Sequence, residues 1–394
     1  MTDGDYRHLY VVMEQEEGKI VPVSLEMLSE ARRLMDDFNK KYSSDEKVVA
    51  LLLGDGVKEI SKVLIEHGAD VVIVSDNQEL RYVRNTIYTK LIAQIATDKE
   101  VAAKVESVDS ASFKKPRYMF FAADSVGRHL SSTVMAELDS GLASDINKLV
   151  VEDLQLTHQI KTAGKPLTYE KTLEMYRPDF SGFLWTTILC LDNRNPSIER
   201  DYHPQACSII PGVFEPIESD SKRSGKIIEY LPRFEEKDLL VKILYRKIIK
   251  NEIDFDARRT IVGFGRGIKD APEQNVKLIE QLASELEAEI GVSLPLSKKI
   301  ISINQSIDSK YFIADRVIGS SGRKVSPKLY IAVGISGAIQ HLAGMKDSEF
   351  ILAINPDEDS PIKDECDIFI KGRMEDVIPM LIENLKTQKK VVQA

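Results

Sequence analysis

The sequence predicts an α/β protein in two parts: a mostly parallel α/β domain over residues 1–214 and a doubly wound α/β domain over residues 259–394, joined by a charged linker over residues 215–258. Three observations lead there. Short apolar runs alternate with stretches whose apolar residues recur every three or four positions, the rhythm of strand–helix units in a parallel sheet. That rhythm stops in a strongly charged stretch from Glu215 to Arg259 and then restarts. In the second half, each strand ends in small or polar residues, and doubly wound sheets bind ligands at the carboxyl ends of their strands.

In chain order, His8 to Met13, Lys47 to Leu53, Ala69 to Val74 and Tyr118 to Ala122 read as strands, and Ser24 to Tyr42 and Val57 to His67 as amphipathic helices. From Leu154 to Val213, strand-like pieces at Thr186 to Leu191 and Ala206 to Ile210 lie between polar, proline-containing turns, as at the far edge of a sheet. Glu236 to Lys250 reads as an exposed helix. The second domain then runs strand Thr260 to Phe264, helix Glu273 to Ile290, strand Leu329 to Val333, helix Ala338 to Gly344, strand Phe350 to Ile354 and helix Met374 to Leu385. In the helix from Glu273, the residues Val276, Ile279, Leu282, Leu286 and Ile290 share one face.

Bulk composition excludes several classes of function. With 53 Lys and Arg against 62 Asp and Glu, the formal charge of -9 repels phosphate backbones, so a nucleic-acid partner is not expected. Cys190, Cys207 and Cys366 lie far apart and make no CxxC or Cys/His spacing, which argues against a disulfide framework and against a metal site. That usage fits a reducing cytoplasm. The polar start from Met1 to His8 has no apolar run behind it, and no later run reaches membrane-spanning length.

The densest chemical signal is the run Leu329 to Gly344, an apolar strand turning through Gly334, Ser336 and Gly337 into a helix. Backbone N–H groups at such a helix start attract phosphate, and glycines admit close approach. Gly-Ile-Ser-Gly matches neither GxGxxG nor a Walker A loop, so a plain strand-to-helix turn fits the pattern as well. Three further loops end near the same sheet edge: Gly263 to Gly267, Ile318 to Arg323, and the position of Asn355. Arg266, between two glycines, is suited to a bidentate phosphate contact or to a solvated loop. His341 reads equally as a packed histidine. Taken together, the four loops favour a dinucleotide site. No acid, base or nucleophile stands out beside them, so no catalytic residue is assigned.

Leu329 to Asp347, including Gly-Ile-Ser-Gly-Ala-Ile-Gln-His-Leu-Ala-Gly-Met-Lys-Asp, closely resembles the signature of the electron-transfer flavoprotein alpha subunit. Weaker likeness runs through the Gly-Arg-Gly at Arg266, the Ser-Pro-Lys-Leu-Tyr before the signature, Asn355, Gly127-Arg128 and Gly141 to Asp145. The resemblance implies a C-terminal Rossmann-like FAD-binding domain and an N-terminal domain that packs against a separate electron-transfer flavoprotein beta subunit in a heterodimer. It implies that Ser336, Gly337, Ala338, Ile339, Gln340 and His341 hold the pyrophosphate and flavin, and that Ile318, Gly319, Ser320 and Ser321 lie along the flavin. It also implies that Arg266 and Asn355 hold phosphate or the adenosine part, and that Ser293 is a further contact. Ser321 would stand near flavin N5 and His341 by the pyrimidine edge. The implied electron donors and acceptors are a flavin dehydrogenase such as an acyl-CoA dehydrogenase, or a quinone-reducing oxidoreductase.

The chain departs from that pattern twice. After Ser293 the pattern has an arginine near the flavin, whereas this chain has Leu294, with Lys298 and Lys299 further along the loop. At the adenine end, an aspartate of the pattern aligns with Arg373, followed by Met374. Arg177 to Cys190, Ile210 to Val213 and Glu14 to Val23 resemble the branch that includes electron-bifurcating members. A stand-alone flavin oxidoreductase and a nucleotide-binding module without redox function are the rival readings.

Overall fold

The computed structural model describes residues 3–110, 113–157, 164–179, 184–191, 202–247, 253, 255, 258–298 and 301–392. The chain divides into two compact units, the change falling between Arg246 and Lys247.

The first unit opens with strand β1 (Tyr6–Met13), the hairpin β2 (Gln15–Glu16) and β3 (Lys19–Ile20), and helix α1 (Pro22–Tyr42). Next come β4 (Val48–Gly54), α2 (Ser61–Glu66), β5 (Val71–Asp76), α3 (Asn85–Thr97), α4 (Lys99–Glu106), β6 (Lys115–Ala122) and α5 (Gly127–Glu137). It ends with β7 (Leu142–Ile146), β8 (Lys148–Leu156), β9 (Leu167–Asp179), β10 (Leu184–Ile188), β11 (Gln205–Ile209) and β12 (Lys226–Glu229). Among the described residues, a seven-stranded sheet runs β12-β5-β4-β1-β6-β11-β7, and every pairing in it is parallel. Every residue of β4, Val-Val-Ala-Leu-Leu-Leu-Gly, is buried, as a central parallel strand with both faces covered must be. One core lies on each face, beneath α1 on one side and α3 and α5 on the other.

Two expectations for this unit need correction. The pieces read as the sheet's far edge separate: β11 lies inside the large sheet between β6 and β7, while β10 is the edge of a three-stranded antiparallel sheet, β10-β9-β8. The expected helix from Glu236 is a 3-10 turn, Glu236–Leu239, with no helix through residue 247; residues 248–250 of that expectation lie outside the described residues. Glu235 and Asp238 close a capping box that starts the turn, Lys90 of α3 ties both carboxylates at 2.8 and 2.7 Å, and Arg84 takes the Val241 backbone carbonyl at 2.8 Å. The stretch expected as linker also contributes β12, paired with β5.

The second unit consists of β13 (Thr260–Phe264), α6 (Pro272–Glu285), β14 (Glu289–Ser293), α7 (Leu294–Ser297), α8 (Gln305–Tyr311), β15 (Val317–Ile318), β16 (Leu329–Val333), α9 (Ile339–Leu342), β17 (Ile351–Asn355), β18 (Ile368–Lys371) and α10 (Met374–Val392). Its six strands are all parallel, in the order β15-β14-β13-β16-β17-β18. Counted along the chain that order is 3-2-1-4-5-6, the doubly wound dinucleotide-binding arrangement, and it reverses between β13 and β16. The helix expected to continue to Ile290 stops at Glu285. Glu287 takes a left-handed φ of 52°, the Ala288 N–H returns to the Ala283 carbonyl at 2.8 Å, and Ile290 becomes part of β14. No helix among the described residues is long and apolar enough to cross a membrane.

Candidate functional site

The carboxyl ends of β13, β14, β15, β16 and β17 converge on a cleft of about 560 Å³ in the second unit. It lies at the point where the sheet order reverses, which is where open α/β sheets take ligands. Eleven residues singled out from the sequence line it: Arg266, Ser293, Ile318, Gly319, Ser320, Ser321, Ser336, Ala338, Gln340, His341 and Asn355.

Two turns meet at the reversal. Gly265 N–H donates to the Val333 carbonyl at 3.0 Å, and Gly267 N–H to the Gly334 carbonyl at 3.1 Å. Gly334 has a φ of +59°, and a Cβ there would stand 2.8 Å from the Gly267 Cα, so the close approach and the left-handed backbone both require glycine. Gly337 does not line the cleft. It sits at φ +85° with the Ile362 amide so near that a Cβ would lie 2.2 Å away, and so it presses the turn onto the following loop. The loop after β15 is tied to the same region by Ser320 N–H donating to the Gln340 carbonyl at 2.7 Å.

The helix expected from Ala338 to Gly344 contains only four residues, Ile339–Leu342, too few for a macrodipole of consequence. The cradle is therefore made by the glycine turns rather than by a helix terminus. Ile339 is 49% exposed and does not line the cleft.

His341 is buried, and its Nε2 pairs with the Tyr330 hydroxyl at 3.0 Å. Burial pulls the imidazole pKa down to about 4, with only the Ile318 backbone acting the other way, and burial pushes the Tyr330 phenol up. The ring is thus neutral at pH 7. If the phenol donates to Nε2, the ring's one proton sits on Nδ1, which is itself buried and faces the Ile318 backbone.

The remaining polar groups divide by side. Arg266 and Lys269 are exposed on the β13 side, where neither forms an ion pair among the described residues, and Asp357 lies after β17. Asn355 is spent on the chain itself: its amide donates to the Ile335 carbonyl at 2.9 Å and its carbonyl accepts from Asp357 N–H at 3.0 Å. Leu294, Pro295, Val317 and Ile318 make an apolar wall. Arg373 lies away from the cleft, pairing with Asp270 at 3.2 Å and Glu375 at 3.5 Å, and Met374 is in the core beneath Gly334. Lys298 is exposed and does not line the cleft, and Lys299 lies outside the described residues. Sequence reasoning gave no role to Lys269, Asp357 or Tyr330. Lys269 follows Arg266 by three residues, a turn's spacing that was there to be noticed; nothing local in the sequence ties Tyr330 to His341.

A parallel sheet in this order, with glycine turns crossing at its switch point over a cleft that is cationic on one side and apolar on the other, defines a dinucleotide-binding α/β protein. Residues 9–171 match the electron transfer flavoprotein domain, and residues 254–346 match the electron transfer flavoprotein FAD-binding domain. An electron transfer flavoprotein subunit alpha of Thermoanaerobacterium thermosaccharolyticum is 34% identical over 98% of this chain and 99% of its own length. Protein FixB of Clostridium saccharobutylicum is 35% identical over 98% of both chains. The acryloyl-CoA reductase electron transfer subunit beta of Anaerotignum propionicum is 32% identical over 98% of this chain and 97% of its own. The chain belongs to the electron-transfer flavoprotein alpha-subunit family: it carries an FAD-binding domain and serves electron transfer.

Proposed function

We propose that this chain is the FAD-holding half of a two-subunit electron carrier, with the cofactor in the cleft at the β13–β16 reversal. The observation that carries this reading is the crossing of two glycine turns with no room for side chains, at the reversal of the sheet and over a cleft with cations on one side only. Arg266 and Lys269 would take the pyrophosphate charge, the Gly334–Ser336 turn would admit it closely, and the apolar wall with His341 would hold the ring system. FAD supplies the electron-accepting and electron-donating chemistry when bound. The chain's own residues bind it, orient it and exclude water from the walled side. Ser321, exposed at the mouth, is placed to approach the ring edge. Arg373 and Met374 have no direct part in this reading.

The first unit serves as the docking surface for a beta subunit. Its own strand ends are poorly suited to a nucleotide, because carboxylates of the chain already occupy the turn amides. Asp76 accepts from Gly56 and Lys58 N–H at 2.7 and 3.0 Å, and Asp124 accepts from Val126 and Gly127 N–H at 2.9 and 2.8 Å. The Anaerotignum relative, an acryloyl-CoA reductase electron transfer subunit, favours an acyl-CoA-type dehydrogenase or reductase as the electron partner, with a quinone-reducing oxidoreductase as the alternative.

Reversible bleaching of flavin absorbance by dithionite, followed by reoxidation with an electron acceptor, tests the carrier reading. A bound flavin that bleaches but passes nothing on leaves a binding module.

A further inference from the structure

The two sides of the cleft differ in charge. On the β13 side Arg266 and Lys269 line it; on the β14–β15 side the lining is Ser293, Leu294, Pro295, Val317 and Ile318. A pyrophosphate carries two negative charges and takes the cationic side, which leaves the ring system against the apolar one. Leu294 is packed onto the core of this unit, so its place is filled by hydrocarbon rather than by water. Lys298, just beyond, is exposed and does not line the cleft. His341 approaches the same region but is neutral at pH 7, because burial holds its pKa near 4. Among the described residues, the ring side therefore has no permanent positive charge.

Building on the cofactor reading above, we propose that this cleft binds oxidised FAD more tightly than reduced FAD, with Leu294 as the residue that sets the difference. Two-electron reduction at neutral pH leaves a net negative charge on the flavin pyrimidine ring. An apolar wall opposes that charge by desolvation, and no facing cation repays it. His341, neutral, brings no charge to it. The ratio of the two affinities is the shift in midpoint potential on binding, so the bound flavin is a stronger reductant than free FAD.

The test is a spectroelectrochemical titration of the full chain purified with its partner subunit, alongside free FAD in the same buffer. The expected midpoint lies below that of free FAD. Leu294→Arg places a cation at the apolar wall and strengthens reduced over oxidised binding at least tenfold, a rise of about 30 mV for two electrons. Leu294→Met, apolar and of similar volume, keeps the wall and leaves the midpoint near wild type, which controls for disturbed packing. Binding of oxidised FAD, followed by fluorescence quenching, is expected to be similar in all three proteins. A wild-type midpoint well above free FAD, or an unmoved one in Leu294→Arg with flavin bound, overturns the proposal. So does a large drop in Lys298→Ala or Lys299→Ala, which would show that the loop returns a cation to the ring. A chain that takes no FAD at all fails the cofactor reading itself, and the proposal with it.

Discussion

His341 lines the cleft as a buried, neutral imidazole, with its Nε2 paired to the Tyr330 hydroxyl at 3.0 Å. Its place beside the ring makes it a tuner of potential more than of affinity. His341→Ala is expected to lower the flavin midpoint by roughly 30–60 mV, the value of one hydrogen bond to a charged group, while leaving most FAD bound. Titration against wild type checks this, and an unchanged midpoint would make His341 a packing residue. A second residue that carries a proton belongs to the first unit. Glu14, at the end of β1 in the first unit, is driven up to about 8 by burial, then by the charge of Asp124 and the hydrogen bond between the two carboxyls. Because its folded value lies above the unfolded one near 4.5, its contribution to stability is intact below pH 4.5 and is lost as pH rises through about 8. Wild type should therefore lose up to about 4 kcal/mol against Glu14→Gln between pH 5 and pH 9, read from urea unfolding at each pH. Parallel curves for the two proteins would contradict a shared proton.

At the scale of elements, the crossing of the β13 and β16 turns is the feature on which the cleft depends. Gly334→Ala meets a left-handed backbone and the Gly267 Cα together, and is expected to cost roughly 1–3 kcal/mol and to weaken FAD at least tenfold. Gly212 in the first unit supplies the comparison, since it has a φ of +80° with nothing within 4 Å of an added Cβ. Gly212→Ala should cost the backbone strain alone, about 1 kcal/mol, and leave FAD binding untouched. Equal effects of the two substitutions on FAD would remove the role given to the crossing. These turns were legible in the sequence because strand, glycine and helix signals follow one another within a few residues. Element ends were less so. The apolar spacing from Val276 to Ile290 stays in helical phase through a stop made by Glu287, a residue type that does not advertise a left-handed φ. The period around Glu236 is helical too, yet Lys90 and Arg84, distant in sequence, hold the turn's carboxylates and the Val241 carbonyl, contacts that only the folded unit brings together. Asn355 lines the cleft, and the bond of its amide to the Ile335 carbonyl is one that only the folded turn reveals.

At the scale of the molecule, the proposed division of labour rests on how the strand ends of each compact unit are lined. In the first unit the carboxylates of Asp76 and Asp124 hold the turn amides; in the second, crossing glycine turns border a cleft with Arg266 and Lys269 on one side. The segment before the division also exposes Leu231, Leu240, Val241, Leu244 and Tyr245. Exposed apolar side chains close together in one segment favour association. The chain produced without a partner subunit is expected to self-associate in light scattering, and a stable, flavin-replete monomer would count against the two-subunit reading. The central claim is that FAD belongs to the second unit. A specific protease site inserted between Arg246 and Lys247 allows the flavin-loaded chain to be cut after assembly, the halves separated, and the flavin absorbance of each measured. The account predicts flavin with residues 247–394; flavin that travels with residues 1–246 would contradict it.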